Sequence, residues 1–253
     1  MDSGTEQHSS ETMARADGRR ADEPRRMGLR VDVAPNAGGS VLAVLGGTRV
    51  ICAAMLEEGV PRWMREQQVE GGWLTAEYSL LPYATSPRKM RESSMGRISG
   101  RTMEIQRMIG RALRAVTDLD ALGARTLWVD CDVLSADGGT RTAAISGAYV
   151  AAVLALRRAR DEGRIAGNPF QHSVAAIGVG VVGGRALLDL TYAEDAIADV
   201  DMNVVMTGDG RLIEVQGGAE HAPFTEDQWR DLLTLARRGT EAWCRVQRET
   251  IGE

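Results

Sequence analysis

Histidine and cysteine are scarce in this 253-residue chain, with three copies of each. His8, His172 and His221 are scattered, which leaves little for a zinc site or a Ser-His-Asp arrangement. Cys52, Cys131 and Cys244 lack metal-ligand spacing, and two of them sit in apolar runs of strand type. They read as reduced core thiols, not as a disulfide framework. Two phenylalanines and four tyrosines argue against a protein that reads single-stranded bases mainly by stacking. Positive charge is not in excess either: the net charge is −5, so any grip on nucleic acid must come from a local patch. The P-loop pattern G-x-x-x-x-G-K-[ST] and the nucleophile elbow G-x-S-x-G are both missing. No apolar run approaches 18 residues and no hydrophobic leader opens the chain, which implies a soluble, cytoplasmic protein with no membrane partner.

What is present is ordinary in bulk, with 43% hydrophobic and 26% charged residues, but rich in glycine at 29 copies. Residues 1–13 are polar and read as a disordered extension, and 14–253 as a single domain. "LRVDVAP" reads as a strand, and "SVLAVL-GG-TRVICAAML" as a hairpin turning at Gly46-Gly47. "GGWLTAEYSLLP" is a further strand, and 83–100 has no period, so it reads as a long surface loop. Residues 101–116 place Ile105, Met108, Ile109, Ala112, Leu113 and Val116 on one stripe, the mark of an amphipathic helix. A strand over 124–134 and a helix over 142–163 follow. Two hairpins, turning at Gly183-Gly184 and at "GDG", precede a last helix opened by a Thr225/Gln228 capping box. Hairpins followed by a helix, twice over, indicate an α/β (α+β) protein with mixed sheets.

Three stretches carry chemistry. "ADGGTRTAAISGA" (136–148) leads from a strand into a helix through two glycines, a hydroxyl and an arginine. Glycines let backbone N–H groups approach an oxyanion, and a helix start adds about half a positive charge, so Gly138, Gly139, Thr140, Arg141 and Thr142 suit an anion. A plain turn capped by Thr140 is the alternative reading. Between Arg88 and Arg114 lie eight basic residues against two acids. Arg88, Lys89, Arg91 and Arg97 belong to the loop, where they suit a phosphate backbone, and Arg101 stands at the loop–helix junction. Arg107, Arg111 and Arg114 share a helix face that reads as solvated. "DLTYAEDAIADVD" (189–201) carries five carboxylates, and its Asp195–Asp201 pair fits Mg²⁺ holding a substrate phosphate.

The strings "EEGVPRW", "WLTAEYSLLP", "GRTMEIQRMIGRALRAV", "DCDVLSADGGTRTAAISGA", "DMNVVMT" and "EVQGGAE" together resemble bacterial ribonuclease PH, from about Ala14 to the final helix. The resemblance implies a two-layer α/β fold acting as a phosphate-dependent 3′-5′ exoribonuclease. It implies trimming of the 3′ end of precursor tRNA, and of rRNA, with release of nucleoside diphosphates, and the reverse nucleotide addition. A homohexamer built as a trimer of dimers is implied as well. Carried over by residue, the phosphate site falls on Arg101, Gly139, Thr140 and Arg141, the Mg²⁺ (or Mn²⁺) carboxylates on Asp195 and Asp201, and the RNA-gripping arginines on Arg88 and Arg91. Catalysis then rests on Arg101, Thr140, Arg141, Asp195 and Asp201, with inorganic phosphate as co-substrate. Tyr83 stands where the family commonly has arginine, which shifts RNA grip toward Arg88, Lys89, Arg91 and Arg97.

Two rival readings share these elements. A non-catalytic ring subunit would lose the anion turn or the carboxylates, and this chain keeps both. A hydrolytic exonuclease would need more carboxylates around two metals and has no use for an arginine-flanked turn.

Overall fold

A computed structural model describes residues 15–253; the 1–13 extension lies outside the described residues. The first half builds a five-stranded sheet from β1 (Met27–Val31), β2 (Gly39–Leu45), β3 (Thr48–Glu58), β4 (Trp73–Leu80) and β5 (Arg125–Ser135), in the order β1-β2-β3-β5-β4. Its neighbours are antiparallel except β4 and β5, which run parallel, so this sheet is mixed as expected. A short helix α1 (Arg62–Glu66) precedes β4, and α2 (Gly100–Arg114) joins β4 to β5. The long helix α3 (Thr140–Asp161) follows β5. The second half is a four-stranded antiparallel sheet, β7-β6-β8-β9, made of β6 (Val174–Val182), β7 (Arg185–Leu188), β8 (Val200–Thr207) and β9 (Leu212–Ala219). One turn of helix, α4 (Tyr192–Asp195), links β7 to β8, and α5 (Glu226–Ile251) closes the chain.

Sequence pattern explains the layering. Inward residues of β3 alternate as Val50, Cys52, Ala54 and Leu56, while Arg49, Met55 and Glu57 face out. Helix α3 is small and apolar on nearly every side, because it is covered by both halves: it packs on β2 and β3 and also on β6. Gly147 permits the close approach, since a Cβ there would lie 2.8 Å from Cys52 Sγ. One continuous hydrophobic core therefore runs from Val41 and Val129 in the first sheet to Val204 and Trp243 in the second half. The helix ends at Arg114, two residues short of the expected span, but the whole expected stripe is buried, from Ile105 through Leu113 in α2 to Val116 just beyond it.

Some expectations need correction. The first strand starts at Met27 and ends at Val31, because Asp32 turns the chain with φ 59°. The connection 83–100 is not wholly irregular: 3₁₀ turns occupy Pro82–Ala84 and Glu92–Met95. Arg111 and Arg114 are not simply solvated. Arg111 forms a two-pronged ion pair with Glu214 of β9 (2.6 and 2.7 Å), and Arg114 donates to Leu74 O and stacks 4.8 Å above the Trp73 ring. Arg107 is exposed as expected. The string Gly178-x-Gly180-x-x-Gly183 spells a dinucleotide fingerprint, yet it lies in β6 and its hairpin turn, with no helix start beside it.

Candidate active site

Two helices begin on the same side of the molecule, and their N-termini are treated differently. Helix α2 is capped conventionally: Ser99 Oγ accepts the Thr102 N–H at 3.2 Å, and Thr102 Oγ1 donates to Glu92 at 2.7 Å. Helix α3 has no side-chain cap. Its N-cap is Gly139, in the left-handed region at φ 65°, preceded by Gly138 at φ 73°. The first intrahelical bond is from Ala143 N–H to Gly139 O, so the amides of Gly139 to Thr142 lie ahead of the ladder with the positive end of the dipole behind them. The plain-turn reading, with Thr140 as cap, does not hold. The Thr140 hydroxyl instead accepts a hydrogen bond from Tyr78 Oη at 3.0 Å.

Tyr78 is the last residue of β4 to be almost fully buried. Burial pushes its phenol up, opposed by the bond to Thr140 and by the charges of Arg101 and Arg141. Arg101, in the first turn of α2, and Arg141, in the first turn of α3, thus both lie near the Tyr78 hydroxyl that binds Thr140. Arg141 is held from below: its Nη1 donates to Gln216 Oε1 of β9 at 3.3 Å and lies 4.0 Å from Glu104 Oε1. Gln216 in turn donates to Glu104. This fixes the guanidinium while leaving its other donors for a ligand.

The carboxylates complete the cluster. Asp195 ends α4 and is exposed; Asp201 is the second residue of β8 and is half-buried. Burial, and then the adjacent Asp195 charge, push Asp201 up to about 6, with Arg141 pulling the other way. A cation beside such a pair would relieve the cost of holding the Asp201 charge there, and hard divalent ions that also hold phosphate need only one or two carboxylates. The pair fits such an ion. Among the described residues no group of three or more histidines, cysteines or acids forms a metal cage. Two other members of the acidic run are engaged elsewhere: Asp189 is buried against Arg25, and Glu194 is bound by Arg15 while closing the α4 capping box.

Five predicted residues, Arg101, Thr140, Arg141, Asp195 and Asp201, together with Gly139, therefore share one region. Arg88, Lys89, Arg91 and Arg97 are exposed on the connection between β4 and α2. Arg91 is close enough to Asp132 of β5 to counter part of the rise that burial imposes on that carboxyl. Sequence reasoning missed Tyr78, Glu104 and Gln216. The β4 alternation marks Tyr78 as an inward residue with a hydroxyl to satisfy. Nothing in the pattern of β9 singles out Gln216.

Comparison with known proteins identifies the family. Residues 23–160 match the 3′ exoribonuclease family, domain 1, and residues 172–239 match its domain 2. Ribonuclease PH of Bacillus pumilus (strain SAFR-032) is 51% identical over 240 residues, covering 94% of this chain and 98% of that one. Ribonuclease PH of Bacillus cereus (strain AH820) is 50% identical over 240 residues, covering 94% and 97%. Among solved structures, the Archaeoglobus fulgidus exosome with RNA bound to the active site superposes with a TM-score of 0.76 at 23% identity, covering 94% of this chain and 93% of that chain. Rice (Oryza sativa) Rrp46 superposes at 0.73 with 21% identity, covering 94% and 100%. With both domains matched in order and half its residues shared with full-length relatives, the chain belongs to the ribonuclease PH group of the 3′ exoribonuclease family, the phosphate-dependent 3′-5′ exoribonucleases.

Proposed function

We propose that the chain shortens precursor tRNA, and other RNA 3′ ends including rRNA, with inorganic phosphate as nucleophile, and that it runs the reverse nucleotide addition at the same site. The observation that carries the reading is the uncapped start of α3, flanked by Arg101 and Arg141 and facing Asp195 and Asp201. The Gly139 and Thr140 amides, the Thr140 hydroxyl and the two guanidinium groups bind orthophosphate and orient one oxygen toward the last phosphodiester. That oxygen bonds to phosphorus as the bond to the preceding 3′ oxygen breaks. A nucleoside diphosphate leaves, and the shortened RNA regains a 3′ hydroxyl. Positioning and charge neutralisation supply most of the rate, so no side-chain nucleophile is required.

Asp195 and Asp201 would hold Mg²⁺, or Mn²⁺ in its place. A bound ion of this kind supplies charge neutralisation at the scissile phosphate and the departing oxygen. Arg88, Lys89, Arg91 and Arg97 would follow the RNA backbone leading to the site. Residues 14–253 are read as a single catalytic unit acting in the cytoplasm, assembled as a homohexamer, a trimer of dimers. The outer face of the first sheet, with Met55 and Trp128 exposed at 44% and 38%, offers apolar surface for such an assembly. Incubating a 3′-extended RNA with and without phosphate and identifying the released nucleotide tests the reading. Diphosphates that appear only with phosphate are expected; monophosphates released without it would overturn it.

A further inference from the structure

The segment before β1 sends arginines inward, toward the back of the phosphate turn. Arg25 binds Asp189 through three bonds: backbone N–H to Oδ2 at 2.8 Å, Nε to Oδ2 at 2.9 Å and Nη2 to Oδ1 at 2.7 Å. Their side chains are only 5% and 1% exposed. The same guanidinium donates to Asp137 O and, at 3.3 Å, to Gly138 O. Thr48 Oγ1 also donates to Gly138 O, at 2.7 Å, and accepts the Asp137 N–H at 2.9 Å. In a trans peptide the C=O and the following N–H point in opposite directions. Holding the Gly138 carbonyl toward Arg25 and Thr48 therefore aims the Gly139 N–H away from them, on the side opposite Arg25.

Asp189 also fixes the other half of the site. It sits at φ 55° at the end of β7, three residues before α4 and six before Asp195. Arg15 donates to the carbonyls of Leu188 and Asp189 (2.7 and 2.8 Å) and grips Glu194, the neighbour of Asp195, through Nε and Nη2 (2.7 and 2.6 Å). Turn and helix touch directly: a Cβ on Gly138 would lie 2.6 Å from Leu190 O and 2.9 Å from Tyr192 N. We infer that the buried Arg25–Asp189 pair is a positioning device for the reaction, setting the Gly139 amide toward phosphate and registering the phosphate turn against the helix that carries Asp195. The inference rests on the function proposed above. A buried ion pair is a poor source of stability by comparison with apolar packing, which leaves geometry as its use here.

Asp189→Asn is the main test, because asparagine tolerates the left-handed backbone while it removes the charge and one of the two acceptor oxygens that Arg25 uses. Arg25→Lys keeps the charge and loses the fork. In both, the phosphate KM is expected to rise about tenfold, as for loss of a hydrogen bond to a charged group. RNA affinity should stay within about twofold, since no RNA contact is removed. The rise in melting temperature that inorganic phosphate gives the wild type should shrink, which reads phosphate binding without turnover. A lower melting temperature with unchanged phosphate KM means a merely structural pair and overturns the inference. Should these variants not fold, Thr48→Val removes a second holder of the Gly138 carbonyl and leaves the ion pair in place. An unchanged phosphate KM in Thr48→Val then overturns it, and a severalfold rise supports it. Wild type that releases monophosphates without phosphate defeats the functional reading itself; phosphorolytic wild type with unaltered variants defeats this inference alone.

Discussion

The Tyr78 hydroxyl donates to Thr140 Oγ1 at 3.0 Å, joining the end of β4 to the first residue of α3. Because that oxygen already accepts one proton, the threonine's own O–H is free to point elsewhere, and the uncapped helix start is where an anion would receive it. Tyr78→Phe removes the tether while keeping the ring. We expect a severalfold increase in phosphate KM and a stability loss of about 1 kcal/mol, as for one neutral hydrogen bond. Phosphate titration of initial rates, paired with urea unfolding, checks both.

Arg141 and Arg111 make opposite predictions although both are helix arginines paired with β9. Arg141 lies close enough to Tyr78 and Asp201 for its charge to act on both, so Arg141→Ala should reduce turnover by a factor of 100 or more, at roughly the scale of a lost transition-state donor, and leave tRNA affinity intact. Arg111 only ties α2 to Glu214, and Arg111→Ala should change stability by less than about 1 kcal/mol and turnover hardly at all. Near-normal phosphorolysis by Arg141→Ala removes it from the site.

Asp201 should behave as a residue kept for function at the expense of stability. Its folded value of about 6 lies above the ordinary 3.8, so the folded protein binds this proton more tightly than the unfolded chain does. That contribution is complete below about pH 4 and is lost as pH rises through about 6, leaving a charged, crowded pair at neutral pH. Asp201→Asn imitates the protonated form. In chelator at pH 7.5 it should be more stable than wild type, on the order of 1–2 kcal/mol, and the gain should fade toward pH 4. Activity should be lost with Mg²⁺ present and should not return at saturating phosphate. Thermal melts across pH, in chelator, decide the matter; a lower melting point for the variant at pH 7.5 contradicts the account.

Much of this arrangement is legible in the sequence, for identifiable reasons. Period and turn chemistry mark the Gly46-Gly47 and Gly183-Gly184 hairpins, the stripe of α2 and the Thr225/Gln228 capping box, because each is decided within a few neighbouring residues. The glycine turn announces itself the same way. What local pattern does not carry is pairing across the chain. Arg25 meets Asp189 over 164 positions, and Gln216 reaches Arg141 over 75. The acidic run illustrates the difference. Five carboxylates look alike on paper, but Asp189 and Glu194 are taken up by buried arginines from the segment before β1, whereas Asp201 lies beside Asp195 and feels the charge of Arg141. Arg111 and Arg114 looked solvated because their partners, Glu214 and Leu74 O, lie on distant strands.

Gly138 offers a test of how closely turn and helix must meet. Alanine there faces two penalties: a left-handed backbone at φ 73°, and a methyl 2.6 Å from Leu190 O. Together these should cost about 2–4 kcal/mol, with the displaced turn raising the phosphate KM as well. Gly163→Ala is the control, since its φ of 74° imposes the backbone strain but nothing lies within 4 Å. It should cost only about 1 kcal/mol and leave the phosphate KM alone. Equal effects at the two positions would mean that backbone strain, not contact with α4, governs Gly138.

The loop cations should be separable from the phosphate site by salt. Arg88, Lys89, Arg91 and Arg97 are exposed, and replacing all four with alanine removes positive charge without disturbing the uncapped start of α3. For single-stranded RNA each lost phosphate contact lowers the slope of log K against log salt by about 0.7. The quadruple variant should therefore bind RNA more weakly at low salt, with a shallower slope by about 2–3, while its phosphate KM is unchanged. Arg91→Ala alone should contribute less than Arg88→Ala, because part of its charge is spent on Asp132. Filter binding of a labelled 3′-extended tRNA between low and moderate salt gives the slopes. A quadruple variant with the wild-type slope would place the RNA track elsewhere on the surface, and Arg107 of α2, which is also exposed, would be the next to replace.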